Sequence, residues 1–413
     1  MSAAPAAPAA PARAAAPAAP AGPSTPAADG PPRLRLDRRE LAGAVADVGV
    51  LVPIATVLIV ANGLTATAAL LPAAGLYLLA AAVYRLPVPV QPLKAFGAIA
   101  IAAGLGADAI AAGALLMGAI FLALARIGLI DLAARAFPRP VIRGVQLTVG
   151  LLFLKIAWGL VQDPPSAFDD RGADPLALTA LGVVVLALAL ALRRRLISLG
   201  LVGVGVAVLL ARTGGEIDLG PSAMALPSLD LATLATAFTV LVLPQVPLTF
   251  ANSCVATSDA ARAYFGSAAR RVSPGRLATT LGSANLLAGA VGGMPVCHGA
   301  GGMTAHRSFG ARSAGAPLFM GLMLLTLAIL LGAGLAAQLA AFPLPILAGM
   351  LGAAGILHIG LLADLEGRCA WGLALLVGAI GFLGNLAAAV VVGLALWWLP
   401  ALLRGGARGG LDG

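Results

Sequence analysis

From Leu41 onward the chain alternates long apolar runs with short polar breaks. A membrane-spanning helix needs about 20 predominantly apolar residues, sometimes about 17. Fourteen such segments can be laid along the sequence, at 41–61, 66–84, 87–105, 109–125, 140–160, 175–192, 196–212, 231–255, 277–293, 294–310, 314–335, 342–362, 370–384 and 386–403. The last two are short enough to form one re-entrant pair instead. Residues 1–32 are almost entirely Ala and Pro, which offers neither helix donors nor an apolar period. Residues 1–37 are therefore expected to be a disordered cytoplasmic tail, without the basic-then-apolar pattern of a signal peptide. Residues 404–413 are expected to be a second, short cytoplasmic tail.

Composition turns this pattern into a class. Hydrophobic residues make up 60% of the 413, charged residues 10%, and mean hydropathy is +0.99. A soluble domain carries about 25% charged residues, so too little polar surface exists here to cover a globule in water. A soluble enzyme, a disordered chain and a nucleic-acid-binding domain are excluded. The expected class is an all-α polytopic membrane protein.

The net charge of +9 is explained by topology. With the N-terminus inside, the threading gathers Arg33, Arg35, Arg38, Arg39, Arg85, Arg126, Arg135, Arg139, Arg143, Arg193, Arg194 and Arg195 on the inner side. Arg262, Arg270, Arg271, Arg276, Arg307, Arg312, Arg368, Arg404 and Arg408 join them, while Arg171 and Arg212 fall outside. The outer loops carry Asp163, Asp169, Asp170, Asp174, Glu216, Asp218 and Asp230. That asymmetry predicts a multi-pass protein of the cell (inner) membrane with both termini cytoplasmic. Cys254, Cys297 and Cys369 form no CxxC pair and read as packing residues, with no disulfide framework, metal site or cofactor.

The sequence also repeats itself. Phe137-Pro-Arg-Pro-Val-Ile-Arg-Gly144 matches Phe342-Pro-Leu-Pro-Ile-Leu-Ala-Gly349, and the match runs on to Gly150 and Gly355, 205 residues apart. At nearly the same offset Pro89-Val90-Gln91 meets Pro295-Val296-Cys297. An offset of seven segments is odd, so two such halves, 38–212 and 213–403, are inverted relative to each other. Inverted repeats are a mark of secondary transporters, with the site between the halves at mid-membrane.

The third and tenth segments carry the candidate chemistry. Each opens on a stretch unsuited to helix, Leu86-Pro-Val-Pro-Val-Gln-Pro92 and Gly292-Gly-Met-Pro-Val-Cys-His298. A half-helix is predicted to follow each, from about Leu93 and Gly299. Broken backbone at membrane depth is tolerated where protein or a water-filled cavity satisfies it. Two half-helix starts facing each other present free N–H groups and positive dipole ends, an anion site. Gly299, Gly301 and Gly302 would let a ligand approach the second backbone. Gln91 and Lys94 flank the first start, His298 and Thr304 the second. Lys94 and Lys155 are the two lysines among 26 basic residues. A cation at membrane depth points to ligand binding or gating. For Lys94 the alternative is snorkelling to an interface, and for Lys155, near the outer end of its segment, that reading leads. His298 is either a donor to an anion or a packed core histidine; His306 and His358 read as solvated or packed residues near segment ends.

In the first segment Asp47 stands among small residues, Gly43-Ala-Val-Ala-Asp47-Val-Gly49, as a coupling or gating carboxylate, a partner of a basic residue, or a structural cap near the inner surface. In the eighth, Leu243-Pro-Gln-Val-Pro-Leu-Thr-Phe-Ala-Asn-Ser253 sets Gln245, Thr249, Asn252 and Ser253 around two prolines. These neutral groups suit an oxyanion or, alternatively, interhelical hydrogen bonds. Asp259 is a second coupling candidate, or a surface pair with Arg262.

Residues Gly43 to Pro53, Pro87-Val-Pro-Val-Gln-Pro-Leu-Lys94, Leu243 to Thr249 with Asn252, and Pro295-Val-Cys-His-Gly-Ala-Gly-Gly302 resemble the molybdate transporter family related to the sulfate permeases. Phe309-Gly-Ala-Arg-Ser313 continues the likeness, which spans residues 38–403. The resemblance implies a seven-plus-seven inverted-repeat fold like that of uracil and sulfate permeases. Segments 1–4 and 8–11 would form a core domain and 5–7 and 12–14 a gate domain. It further implies an elevator or rocking motion, a homodimer, and a tetrahedral oxyanion substrate, molybdate first and sulfate second. Ala46 stands before Asp47 where the family is expected to have glycine. The chain ends soon after its last segment, so the cytosolic regulatory domain of many sulfate permeases is not expected.

Gln91, Lys94, Thr249, Asn252, His298, Gly299 and Gly301 are thus the expected substrate-binding residues, with Asp47 and Asp259 as coupling or gating candidates and a proton or sodium ion as coupling ion. A bicarbonate or nucleobase carrier of the same fold is the alternative. Clustered metal ligands and a phosphate loop are both missing from the sequence, which argues against an enzyme.

Overall fold

The computed structural model describes residues 32–130, 132, 136–170, 172–191, 197–215 and 217–406. The tail through residue 31, Arg135, Arg171, Arg193, Arg194, Arg195, Glu216 and Arg408 lie outside the described residues. Helix dominates. In the first half, α1 (Arg38–Ala44) and α2 (Val48–Val60) are joined by a 3₁₀ turn at Val45–Asp47. They are followed by α3 (Ala66–Tyr84), β1 (Gln91–Pro92), α4 (Lys94–Ala102), α5 (Ala107–Arg126), α6 (Arg139–Gln162), α7 (Pro175–Ala191) and α8 (Ile197–Thr213). The second half contains α9 (Leu231–Arg271), α10 (Pro274–Ala290), β2 (Val296–Cys297), α11 (Ala300–Phe309) and α12 (Gly315–Leu330). It closes with α13 (Gly332–Ala340), α14 (Leu344–Gly360), α15 (Arg368–Leu383) and α16 (Leu386–Gly406).

Five of these helices are long and apolar enough to cross a membrane alone, and two bent pairs raise the number to seven among the described residues. Shorter apolar helices include Pro175–Leu190, Leu199–Thr213, Arg368–Leu383 and Leu386–Leu399. The segments at 87–105 and 294–310 contain only a two-residue strand and a helix of nine or ten residues each. The segment at 314–335 divides into α12 and α13, bent by 94°. The break is stitched by the linker between the halves: Gly220 N donates to Leu330 O, and Ala333 N to Gly220 O. Helix α9 runs well past residue 255. It stays helical through Pro244 and Pro247 by adopting π geometry at Ala237–Val242 and Thr249–Ala256, which absorbs the hydrogen bonds the prolines cannot make.

Packing pairs elements across the halves. α3 packs on α12 and α5 on α10; α6 packs on α14 and α15, and α14 on α7. Close approach depends on glycine at the crossing of α6 and α14. A Cβ at Gly150 would stand 2.7 Å from Gly355 O, and one at Gly355 would stand 2.7 Å from Gly150 O. The polar contacts gather at two ends. At one, Arg212 pairs with Asp170 at 2.7 Å, Asp170 accepts from Leu344 N, and Asp108 accepts from Ser228 N. At the other, Arg143 forms a two-pronged pair with Asp364.

Glu40 is buried at this second end, and sequence reasoning did not single it out. Its Oε1 accepts from Arg312 N (2.8 Å) and Ser313 N (2.9 Å), and its Oε2 from Ala316 N (3.1 Å). One carboxylate of α1 thus caps the start of α12, where free amides and a positive dipole end await an anion. Glu40→Ala leaves three amides without their acceptor and is expected to destabilise the fold by about 2 kcal/mol or more. Glu40→Gln, which keeps one acceptor oxygen, should lose less. Thermal unfolding in detergent checks the order native, Gln, Ala.

Candidate functional site

The site begins with backbone. Pro87, Pro89, Pro92 and Pro295 keep their stretches out of helix, and β1 and β2 pair antiparallel with Gln91 opposite Cys297 and Pro92 opposite Val296. Leu93 N extends the pairing to Pro295 O at 3.2 Å. Two strands of two residues cannot hold alone, and neighbours hold them. Asn285 on α10 brackets Val296, donating to its carbonyl (2.9 Å) and accepting from its amide (2.8 Å). Tyr77 on α3 lies 2.8 Å from Val90 O. Glycine is required at 293, where a Cβ would overlap the Ala68 carbonyl.

α4 and α11 leave directly from these strands, and neither has a side-chain cap at its start, Leu93 or Gly299. Gln245 Oε1 takes the Phe96 amide at 3.0 Å. The two first turns therefore present N–H groups and dipole ends to the space between them.

Asp47 is the electrostatic hub. It is 1% exposed, and its Oδ1 accepts from Gln91 Nε2 at 2.6 Å. Its Oδ2 accepts from His306 Nε2 at 2.8 Å and lies 2.8 Å from the Tyr77 hydroxyl. The carboxylate thereby ties the α1–α2 turn to α3, β1 and α11. A buried charge is tolerated when paired and fully hydrogen-bonded, as here.

The amide of Gln91 is oriented by this contact. Its Nε2 is committed to Asp47, so its Oε1 faces the start of α11 with no protein partner. A Cβ on Gly299 would stand 2.8 Å from that Oε1 and 3.4 Å from Asn252 Nδ2. Gln91, Asn252 and Gly299 therefore converge, with Gly301 beside them in open space. Lys94 opens α4, partly exposed, within electrostatic range of Asp47 and Cys297.

Other expected residues are placed differently. Thr249 is fully buried; it donates to Gln245 O and accepts from Gln245 Nε2, so its hydroxyl is taken up within α9. His298 is also fully buried. Its Nδ1 donates to Pro89 O (2.9 Å), its Nε2 lies 3.0 Å from Thr280 Oγ1, and Tyr84 meets its ring edge-on. In this conformation it bolts the two broken stretches together and has no nitrogen left for an anion. Asp259 is a half-exposed partner of Arg262 at 4.0 Å and makes no contact with the Asp47 group. Thr304 is exposed and meets the Tyr264 hydroxyl. Lys155 is exposed on α6.

Of the two alternatives for His306, solvated or packed, the structure takes the packed one: it is 0% exposed, and it is also paired with Asp47. A titratable side chain seven residues past a half-helix start, on a ten-residue helix, was the available signal. Tyr77 and Asn285 gave none, because a single polar group in a long apolar run fits many roles.

The profile of the family described as "Molybdate transporter of MFS superfamily" matches residues 39–153 and 237–357. Molybdate transporter 1 of Arabidopsis thaliana is 33% identical over 358 residues, 77% of this chain and 78% of that protein. Molybdate transporter 2 of the same plant is 28% identical over 371 residues, 78% of this chain and 79% of its own length. Among solved structures, the transmembrane domain of the cyanobacterial bicarbonate transporter BicA superposes with a TM-score of 0.61 at 19% identity, covering 86% of this chain and 97% of that one. Murine Slc26a9, an anion transporter in the inward-facing state, superposes with a TM-score of 0.64 at 14% identity, covering 89% and 68%. These two likenesses establish the fold.

Two glycines of the site test its geometry. A Cβ at Gly302 would stand 2.7 Å from Asp47 Oδ1, from Gln91 Nε2 and from Pro89 Cβ, whereas one at Gly301 meets nothing. Gly302→Ala is expected to destabilise by about 1–3 kcal/mol, the usual cost of overpacking. Gly301→Ala should leave the unfolding temperature near that of the native chain in the same detergent melt.

Proposed function

Because the chain belongs to the molybdate transporter family, whose members are anion transporters rather than enzymes, we propose that it is a secondary active carrier of a tetrahedral oxyanion, molybdate first. The ion binds between the first turns of α4 and α11. The observation that carries this reading is the meeting beside Lys94 of two helix starts whose own first residues, Leu93 and Gly299, supply no side-chain cap, while the nearby Asp47 is already matched by its own donors. Two dipole ends and an ammonium offset much of the cost of desolvating a dianion. Asn252 lines the ion from α9, Gly299 and Gly301 give it backbone access, and Gln91 links it to Asp47. Thr249 and His298 shape the site by holding Gln245 and the strands in place.

The chain is a multi-pass membrane protein. In this reading it sits in the cell membrane with both termini cytoplasmic, as the arginine asymmetry favours. Residues 38–212 and 213–403 are the two inverted repeats. The reciprocal pairing of α3 with α12 and α5 with α10 supports that division, as does the approach of Gly150 to Gly355. Fourteen segments then form a core of 1–4 and 8–11 and a gate of 5–7 and 12–14, which move against each other to alternate access. A homodimer is part of the proposal.

The coupling ion is a proton. Asp47 and His306 form a buried acid–base pair whose third partner, Gln91, reaches the substrate. A proton carried by the Asp47 carboxylate itself would remove the charge that holds the Gln91 amide, which connects proton carriage to occupancy of the site. A sulfate or general oxyanion carrier is the second reading, resting on the same helix starts. A nucleobase carrier is disfavoured, because both oxygens of Asp47 are engaged and no ring nitrogen can claim them.

Proteoliposomes holding the native chain are expected to take up radiolabelled molybdate saturably, resisting excess sulfate. Lys94→Ala should raise the KM at least about tenfold, which corresponds to about 1.4 kcal/mol. Equal inhibition by sulfate would make the chain a general oxyanion carrier, and no uptake in intact vesicles would defeat the reading. An inward proton gradient should accelerate the native chain and leave Asp47→Asn unaffected. Equal acceleration of both would remove Asp47 from coupling.

A further inference from the structure

Gln91 presents an acceptor at a point where an anion calls for donors. The residue is 5% exposed, and its amide lies over the first turn of α11. Nε2 stands 2.7 Å from the place a Cβ of Gly302 would take, and Oε1 2.8 Å from the place a Cβ of Gly299 would take. Asp47 Oδ1, 2.6 Å from Nε2, decides this orientation. A carboxylate only accepts, so the amide nitrogen turns to it and the carbonyl oxygen turns to the helix start. That oxygen is buried and has no hydrogen-bond partner among the described residues.

Donors surround it. The first amides of α4 and α11 lack a side-chain cap from Leu93 or Gly299, Lys94 opens α4, and Asn252 Nδ2 stands 3.4 Å from the same point beside Gly299. Donors suit the bare oxygens of an oxyanion. Oε1 does not: against a bare oxygen it stays unpaired, and an unpaired buried acceptor is costly. An O–H on the ion removes that cost.

We propose that the site takes its oxyanion in the monoprotonated form, with bare oxygens on the donors and one O–H donating to Gln91 Oε1. This rests on the oxyanion reading above and names the form of the ion. No bond forms or breaks; the proton stays on the ion and crosses with it. Sulfate and molybdate are both tetrahedral dianions, but molybdic acid is much the weaker acid, so far more molybdate carries an O–H at a given pH. A buried acceptor therefore separates two ions that shape and charge do not. A proton on Asp47 instead offers Gln91 a donor and lets its amide turn Nε2 to a bare ion, so one proton accompanies the ion in either case.

Matched pairs of ions test this in reconstituted full-length protein at equal pH on both sides. Above the second ionisation of phosphate and arsenate, hydrogenphosphate and sulfate share charge and shape and differ by one O–H, as do hydrogenarsenate and selenate. In the native chain the O–H-bearing ion of each pair is expected to inhibit molybdate uptake at least about tenfold more strongly. Gln91→Met, similar in length and without the acceptor, should bring each pair within about twofold. Asp47→Asn, which lets the Gln91 amide turn, should favour the bare ion. Equal potency within either pair in the native chain, no inhibition by any of the four ions, or a preference retained in Gln91→Met would overturn this inference alone. The native panel decides the matter if a variant fails to fold. Failure of the native chain to take up molybdate would overturn the substrate reading and this inference together.

Discussion

The constraint on which the structure turns is the buried carboxylate of Asp47. A charge in an apolar interior must be paired and hydrogen-bonded, or it loses its proton equilibrium to the neutral form. Here the demand is met by one group from each of three elements, Gln91 from β1, Tyr77 from α3 and His306 from α11. None of the three could be placed by local structure alone. Satisfying Asp47 therefore fixes the positions of both broken stretches relative to the first helix, and Tyr77 carries the constraint on to the Val90 carbonyl. Loss of any one partner would leave an unmatched charge among groups that also shape the proposed anion site.

The strand pair shows how irregular backbone survives in such an interior. Four residues pair across the halves, and each side is bracketed from a flanking helix, β2 by Asn285 and β1 by Tyr77, with His298 and Thr280 closing the gap to Pro89. Every polar group used for this is withdrawn from ligand binding. His298 is engaged in this way although it stands beside a helix start, and Thr249 is engaged separately, by Gln245 within α9. What remains available are the groups that holding the backbone did not consume: the first amides of α4 and α11, the ammonium of Lys94 and the free faces of Gln91 and Asn252.

Much of this was legible in the sequence, for identifiable reasons. Proline and glycine announce broken backbone directly, so the stretches around Gln91 and Cys297 could be found from residue types and their common offset. Rare charges in apolar runs announce themselves in the same way, which brought Asp47 and Lys94 forward. Partner choice was not legible. His298 and His306 are both histidines near one half-helix, and only tertiary contacts decide that the first bolts strands while the second pairs with Asp47. Glu40 was hidden for a different reason: it sits in the charged stretch where the first helix begins, among arginines, and its burial depends on the α12 start folding over it. The extent of α9 was hidden because proline usually ends a helix, whereas here π turns absorb the missing donors.

The two broken stretches are alike in backbone, each a two-residue strand followed by a short helix, and unlike in side chains, and the difference has a physical logic. Helix dipoles and free amides come from the backbone, so the second helix start of the proposed site needs no charged side chain of its own. A second lysine at Ala300, which opens α11 as Lys94 opens α4, would add repulsion between the two helix starts in a poorly screened interior. Alanine there keeps the amides without that repulsion, and Gly299 just before it leaves room for Gln91 and Asn252. In the proposed site charge is then concentrated on one side and close backbone approach on the other, so an ion between them would be gripped by unlike surfaces. Such a site can be released by moving one surface away, without the protein having to separate two equally strong charge pairs.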